Sequence, residues 1–280
     1  MDNTVSKDAK GGTDSLDSPD SVGFIGAGNM GLALGRAIAR RFPNTRLYVC
    51  DIRPERVREF VSELPGATAV ASPGEVVTAA RVVFLAVKPQ DIPEVLSGIR
   101  DTERLVVSIA AGVRLERLEQ ALPRAPVVRV MPNTPCLVGA MAAGYACGHR
   151  AGPGERQAVA ELLDAAGYAV ELEEELLDAV TGLSGSGPAF VALLIDAFIE
   201  AGTRLGMSAE VARKLSLRTF EGTARLLADT GMLPEELVRM VSSPKGTTVA
   251  GRGILEPSDC RKVIIGTIEA AARRSKELGQ

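Results

Sequence analysis

The chain has 280 residues, of which 46% are hydrophobic and 24% charged, enough for one large domain or two smaller ones. A formal net charge of -3 excludes a strongly basic nucleic-acid-binding protein. No uninterrupted apolar run reaches the roughly twenty residues of a spanning helix, and no targeting segment is evident, so we expect a cytoplasmic protein that does not cross a membrane. A single histidine and four scattered cysteines predict no metal site.

Residues 1–20 form a polar segment with five aspartates and few large apolar side chains. Such a segment buries too little surface to offset the entropy lost on ordering. We expect a disordered tail.

Residues 21–174 alternate short apolar runs with helical patterns. Runs that are apolar on both faces are typical of parallel strands covered by helices on each side. This alternation predicts an α/β fold, with a Rossmann-type doubly wound sheet as the dinucleotide-binding domain. The predicted strands are 22–25, 47–50, 82–87, 105–109 and 127–131, and the predicted helices are 31–41, 54–64, 73–79, 92–99 and 115–121.

Residues 175–280 consist almost entirely of helix-forming sequence, which predicts a C-terminal all-helical domain for substrate binding and dimerisation. The segment 188–205 is apolar on nearly every side, which is typical of a helix enclosed by others. A helical domain of this size cannot enclose it alone, so we expect a partner subunit to cover it. The predicted helices are 175–181, 188–205, 209–230, 234–241 and 258–278.

A strand at 22–25 is followed by a glycine loop in which Gly26, Gly28 and Gly31 have the G-x-G-x-x-G spacing and a helix begins. These glycines allow a tight turn, close approach of a pyrophosphate and close packing of helix on strand. Asp51, after the next strand, is placed to accept hydrogen bonds from a ribose 2′-hydroxyl, whereas Arg53 could pair with a 2′-phosphate. The sequence therefore predicts NADPH or NADH as cofactor and leaves the choice open.

Three further strand ends carry unusual loops. Lys88 and Pro89 follow one strand, the small residues 110–112 follow the next, and Asn133 lies between two prolines after the third. Each could be an ordinary loop. Because ligands bind beyond the carboxyl ends of the strands in open α/β sheets, their position on one edge favours a cofactor site.

Two segments of the helical half are candidates for ligand contact. Residues 183–190 place small side chains before the apolar helix, which permits close backbone approach. Residues 241–248 place hydroxyls and free backbone N–H groups at a predicted helix N-terminus, where they could hold a carboxylate or act only as an N-cap.

Six segments together carry a resemblance that covers residues 21–279. They are 24–30, 85–89, 110–113, 131–135, 178–189 and 241–244. On these motifs the chain resembles the 1-pyrroline-5-carboxylate reductase family, which acts in the last step of proline biosynthesis.

The resemblance implies hydride transfer from NAD(P)H to the C=N bond of a cyclic imino acid, giving L-proline. It implies that Ser243, Thr247 and Thr248 hold the substrate, with Thr248 and Ser243 as the catalytic pair, and that Glu174 approaches it. It also implies interlocked homodimers that assemble further, often into decamers. The predicted cofactor residues are Gly26, Ala27, Gly28, Asn29, Met30, Asp51, Arg53, Ala86, Val87, Lys88, Pro89, Ala110, Ala111, Gly112 and Asn133.

Lys245 stands where that family usually has glycine, which predicts a cation beside the substrate site and a left-handed backbone under strain. Two other functions are possible. A β-hydroxyacid dehydrogenase would share the glycine loop but needs a lysine on its long helix, and 188–205 contains none. A non-catalytic NAD(P)-binding sensor would have no need of the hydroxyls at 243–248.

Overall fold

The computed structural model describes residues 20–279, so the tail expected at 1–20 lies almost wholly outside the described residues. Within that range one eight-stranded sheet has the order β3-β2-β1-β4-β5-β6-β7-β8. The pairs from β3 to β6 are parallel, β7 is antiparallel to β6, and β8 is parallel to β7. The strands are β1 Ser21–Ile25, β2 Arg46–Cys50, β3 Ala67–Ala69, β4 Val82–Leu85, β5 Leu105–Ser108, β6 Val127–Met131, β7 Met141–Cys147 and β8 Gly167–Glu171.

Helices cover both faces of this sheet, which confirms the predicted doubly wound architecture. One buried cluster joins the sheet to the first, second and sixth helices, and a second cluster joins the other face to the third, fourth and fifth. Phe24 on β1 stacks on Phe84 of β4 and contacts Phe60 of the second helix. These helices are α1 Asn29–Arg41, α2 Pro54–Glu63, α3 Pro73–Ala79, α4 Ile92–Gly98, α5 Leu115–Ala121 and α6 Pro153–Asp164.

The structure also contains elements that the sequence patterns did not predict. They are the short strand β3, the pair β7 and β8, and the helix α6 between them. Two strands are shorter than predicted: β4 ends at Leu85 and not at residue 87, and β5 ends at Ser108 and not at residue 109.

The remainder of the described chain is helical, as predicted. The expected helix 175–181 is divided into a 3-10 turn at Glu174–Leu176, the helix α7 and a π-helical turn at Thr181–Gly185. There, Gly182 lies so close to α12 that a Cβ would be 2.6 Å from the carbonyl oxygen of Ile268. The helices are α7 Leu177–Val180, α8 Gly187–Arg204, α9 Ala209–Thr230, α10 Pro234–Met240, α11 Thr247–Leu255 and α12 Cys260–Leu278.

The long helix α8 is largely uncovered within one chain. Leu193 is 70% exposed and Phe198 53%, although Phe198 packs edge-on against Phe220 of α9. The helical run Glu174–Arg204 is long and apolar enough to cross a membrane by length and composition. Asp196 and Glu200 interrupt this run, so the sequence has no uninterrupted apolar stretch of about twenty residues, and the expectation that the chain does not cross a membrane stays a prediction.

Candidate active site

The glycine loop joins β1 to α1 at the carboxyl edge of the sheet. Gly26 has φ +104°, and a Cβ there would lie 2.6 Å from the carbonyl carbon and oxygen of Ala86. At Gly31 a Cβ would lie 2.7 Å from the carbonyl oxygen of Gly26. Both positions therefore require glycine because of contacts within the protein.

Gly28 differs from these two glycines, because a Cβ added there would meet no protein atom within 4 Å. It is the N-cap of α1, no side chain caps this helix, and its first turn has no acidic residue. Among residues 20–279, no side chain accepts from the backbone N–H groups of Asn29 and Met30, and the helix dipole favours an anion there. The residues present fit a dinucleotide pyrophosphate.

Asp51 follows β2 and lies beside the glycine loop. Its Oδ2 accepts a hydrogen bond from the Ala27 amide at 2.8 Å, and its Oδ1 accepts one from the Arg53 amide at 2.9 Å. Burial acts to raise the pKa of Asp51, but hydrogen bonds from Ala27 and Arg53 outweigh it and hold that pKa below its ordinary value. The carboxylate is therefore charged at neutral pH.

The loops after β4 and β5 lie beside the glycine loop, because β1, β4 and β5 are parallel neighbours. After β4, the amide of Ala86 donates to the carbonyl of Ile25 at 2.8 Å, and Val87 is half-buried before the exposed Lys88 and Pro89. The structure thus brings these predicted cofactor residues together at one edge.

After β5, Ala110 is buried, Ala111 is exposed, and Gly112 has φ +76°. A Cβ on Gly112 would lie 3.3 Å from the carbonyl oxygen of Leu278, at the end of α12. The loop after β5 is therefore in contact with the last helix of the same chain.

Asn133, predicted to contact the cofactor, has its side-chain amide engaged within the protein. Its Oδ1 accepts from the Ala142 amide at 2.9 Å, and its Nδ2 donates to the Ser184 carbonyl at 3.1 Å. The residue is buried, with 7% exposure. It joins the end of β6 to β7 and to the π-helical turn, which is a positioning role.

Glu174, predicted to approach the substrate, also has protein partners. Its Oε1 accepts from the Leu115 amide and from Nη1 of Arg129, both at 2.8 Å. The Arg129 side chain is 6% exposed and that of Glu174 is 20% exposed. Glu174 therefore fastens the start of the helical half to β6 and α5.

The hydroxyl segment, residues 241–248, has no described hydrogen bond to the glycine loop of the same chain. Ser243 is exposed, its carbonyl accepts from the Gly246 amide, and Thr247 and Thr248 begin α11. The described hydrogen bonds of residues 242–256 all stay within the helical half. None of these hydrogen bonds joins the hydroxyl segment to the glycine loop of the same chain.

Lys245 has φ +58° and is the only non-glycine residue with a positive φ among residues 20–279. The left-handed backbone predicted at this position is therefore present, in a residue type that adopts it at a cost.

Two protein-family models match separate parts of the chain. Residues 174–278 match the model described as pyrroline-5-carboxylate reductase dimerisation. Residues 21–112 match the model described as NADP oxidoreductase, coenzyme F420-dependent. The two matches correspond to the helical half and to the glycine-loop side of the sheet.

Curated relatives match over nearly the whole chain. Pyrroline-5-carboxylate reductase 3 of Danio rerio is 38% identical, over 94% of this chain and 94% of that protein. Pyrroline-5-carboxylate reductase of Methanosarcina acetivorans is 40% identical, over 92% of this chain and 98% of that protein. The chain belongs to the pyrroline-5-carboxylate reductase family.

Solved structures agree with this membership. A pyrroline-5-carboxylate reductase from Coxiella burnetii aligns with a TM-score of 0.89 and 30% identity, over 94% of this chain and all of that one. The Plasmodium falciparum pyrroline carboxylate reductase, solved with NADP bound, aligns with a TM-score of 0.79 and 29% identity, over 93% of this chain and 98% of that one. The chain is accordingly an NAD(P)-dependent oxidoreductase, as predicted.

Membership in this reductase family explains why the helical half exposes a large apolar surface in a single chain. The residues matched by the dimerisation model include large apolar side chains that one chain leaves in contact with solvent. Among them are Leu205, 82% exposed, Ile254, 79% exposed, and Val263, 61% exposed. Self-association through the helical half removes this surface from water.

Two arginines of this reductase were not singled out from the sequence. Arg129 is buried on β6 and pairs with Glu174, and Nε of Arg114 donates to the Gly279 carbonyl at 3.2 Å. A charged residue within an apolar strand was the available signal for Arg129. Nothing local to Arg114 indicates its contact, which spans 165 residues of sequence.

Proposed function

We propose that the protein reduces 1-pyrroline-5-carboxylate to L-proline by hydride transfer from NAD(P)H to the cyclic C=N bond. Relatives that align over more than nine-tenths of this chain are named pyrroline-5-carboxylate reductases, which supports this assignment. The observation that carries it is a glycine loop built for a dinucleotide together with the residues matched as a pyrroline-5-carboxylate reductase dimerisation region.

The reaction needs neither a covalent nucleophile nor a metal ion from the protein. NAD(P)H, when bound, supplies the hydride. The chain's own residues hold the cofactor on the α1 N-terminus and align the substrate with it, and orientation of this kind is worth about 7–11 kcal/mol in well-aligned reactions.

The hydroxyl segment is proposed as the substrate site. Ser243, Thr247 and Thr248 offer hydroxyl donors, and the backbone N–H groups at the start of α11 favour a carboxylate. Thr248 lies nearest the ring nitrogen in this arrangement, where its hydroxyl accommodates the change of charge during reduction. Glu174 positions the loop beside the cofactor through the Leu115 amide.

The proposed site combines residues of two chains. Residues 21–174 form the dinucleotide-binding domain of one protomer, and residues 175–280 of its partner supply Ser243, Thr247 and Thr248. The match of residues 174–278 to a dimerisation model supports this arrangement, as does the exposed apolar surface of α8. We place the protein in the cytoplasm as an interlocked dimer that assembles further, with its apolar helices against a partner and not against lipid.

The reaction is tested by mixing purified protein with NADPH and 1-pyrroline-5-carboxylate and following the loss of absorbance at the reduced-nicotinamide band. We expect turnover and formation of proline. Cofactor binding without turnover would instead favour a sensor.

Sharing of the site is tested by subunit complementation. Gly26→Val removes the cofactor site and Thr248→Ala weakens the substrate site, each in a separate chain. If the site is shared, a co-expressed hybrid regains activity because one pairing joins an intact glycine loop to an intact Thr248. If each chain carries a complete site, the hybrid stays as inactive as the two parent variants.

A further inference from the structure

Arg252 of α11 holds the hydroxyl segment through a side-chain contact. It lies four residues after Thr248, so the two side chains are on the same face of this helix. Its Nη1 donates to Oγ of Ser242 at 3.0 Å, ten residues back along the chain. In the described part of the chain, no other hydrogen bond joins α11 to residues 241–245. Arg252 therefore connects the turn before α11 to the helix that carries Thr248.

The Arg252 guanidinium is itself held on two sides. Its Nε donates to Oε1 of Glu256 at 2.8 Å, and its Nη2 lies 2.8 Å from the same oxygen. On the other side, the Ser242 hydroxyl donates to the Val238 carbonyl at 2.5 Å, which leaves its lone pairs to accept from Arg252. A planar fork of N–H donors can make both sets of contacts at once. A line of contacts thus runs from the last turn of α10 to the end of α11.

The turn that Arg252 holds carries the groups proposed to bind the substrate carboxylate. A Cβ added to Gly246 would lie 2.5 Å from Oγ of Ser243, so this hydroxyl lies over the N-cap of α11. Among residues 20–279, no side chain caps α11, and its first turn has no acidic residue. Lys245 gives the same turn a left-handed backbone, with φ +58°. Because a lysine adopts this conformation at a cost, contacts around the turn are needed to hold it.

We propose that Arg252 is a positioning residue of the substrate site: it fixes the turn at residues 242–246, so that the Ser243 hydroxyl and the N–H groups at the start of α11 meet a substrate carboxylate together. This inference rests on the proposed function. The guanidinium is already paired with Glu256, so it acts by ordering the turn before the ligand arrives and not as the counterion of the carboxylate. Its effect is therefore on binding of substrates that carry a carboxylate.

Steady-state kinetics of Arg252→Met test this role with two substrates. For 1-pyrroline-5-carboxylate we expect KM to rise about five- to thirtyfold while kcat changes less than about twofold, because the lost contact orders the binding groups before reaction. For 1-pyrroline, the same ring imine without the carboxylate, kcat/KM should change less than about twofold. An equal loss for both substrates would indicate a general structural role and overturn the proposal.

A double-mutant cycle with Ser242→Ala shows whether Arg252 acts through this hydroxyl. If it does, Ser242→Ala raises KM to a similar extent, and the double variant is no worse than either single one. Effects on KM that multiply would show that Arg252 acts by another route, which contradicts the proposal. Arg252→Lys should restore part of the loss, because an ammonium group can reach Ser242 but cannot keep both contacts to Glu256 at the same time.

Order in the turn can also be measured without turnover. The Gly246 amide donates to the Ser243 carbonyl at 2.9 Å, so its hydrogen exchange should be faster in Arg252→Met, and unchanged exchange would refute the ordering role. Arg225→Met is the matched control, since Arg225 pairs with Asp229 one turn along α9 at 3.2 Å, and it should leave KM and exchange unchanged.

The two proposals fail in different ways. A wild-type protein that does not reduce 1-pyrroline-5-carboxylate would refute the proposed reaction, whereas normal turnover with an unchanged KM in Arg252→Met would refute this inference alone. Circular dichroism and size-exclusion chromatography of each variant check that the fold and the assembly are retained.

Discussion

Glu174 and Arg129 form an ion pair of 2.8 Å between the first turn of the helical half and the sixth strand of the sheet. The same Glu174 oxygen accepts the amide of Leu115, at the start of α5. A single carboxylate oxygen therefore holds a strand, a helix N-terminus and the beginning of the helical half in one arrangement.

Replacing Glu174 by Ala is expected to lower the free energy of unfolding by about 3–5 kcal/mol, because it leaves the buried guanidinium of Arg129 without a partner. Urea denaturation at a fixed protein concentration measures the change. Glu173→Ala is the control, since the neighbouring Glu173 is exposed. Equal stability of both variants would show that the ion pair contributes nothing.

Gly26→Ala and Gly28→Ala are expected to fail in different ways. At Gly26 the added Cβ meets the Ala86 backbone at 2.6 Å in a left-handed conformation, so the fold loses about 1–3 kcal/mol. At Gly28 the Cβ meets no protein atom, so stability changes by less than about 0.5 kcal/mol while NADPH affinity falls. Thermal unfolding and cofactor titration separate the two effects, and intact cofactor binding in Gly28→Ala would contradict the placement of the pyrophosphate.

Thr248→Ala is expected to reduce kcat/KM about ten- to a hundredfold and leave NADPH affinity unchanged, because the hydroxyl is proposed to contact substrate and not cofactor. Steady-state kinetics and direct cofactor titration measure the two quantities. Thr230→Ala, at the end of α9 where the hydroxyl donates to the Leu226 carbonyl, is the matched control. A parallel loss of NADPH affinity in Thr248→Ala would place its hydroxyl on the cofactor.

Lys245→Gly is expected to raise the free energy of unfolding by up to about 1 kcal/mol, because glycine adopts a positive φ without steric cost. Lys245→Ala removes the same charge and keeps the strain, so it should not stabilise the protein. Paired urea denaturation curves test this difference. A gain in both variants would assign the effect to the charge and not to the backbone.

The sequence patterns predicted the strands β1, β2, β4, β5 and β6 because long apolar side chains fill both faces of each. They missed β7, whose residues Met141–Cys147 are mostly alanine and glycine and have little strand propensity. The short β3 offers only three residues of pattern. Helix α6 carried a usable signal, since Pro153 begins it and Ala158, Val159, Leu162 and Leu163 recur at helical spacing on its buried face.

Site residues whose role depends on local sequence could be predicted, whereas those whose partners are distant in sequence could not. Gly26 and Gly28 could be predicted because the needs of a tight turn are local. The partners of Asn133 and Glu174 lie up to 59 residues away in sequence, at Ser184, Arg129 and Leu115, and no local pattern specifies such pairs. Whether a polar side chain in a strand-end loop faces a ligand or another strand depends on which distant segments the fold brings next to it.

The contact between Gly112 and the last turn of α12 joins the loop after β5 to the C-terminal end of that helix. Helix ends open locally at little free-energy cost, so each opening near Leu278 also releases the backbone around Gly112. Amide hydrogen exchange at Val113 should therefore rise and fall with exchange in the closing turn of α12, so the order of the loop after β5 depends on the end of the helical half.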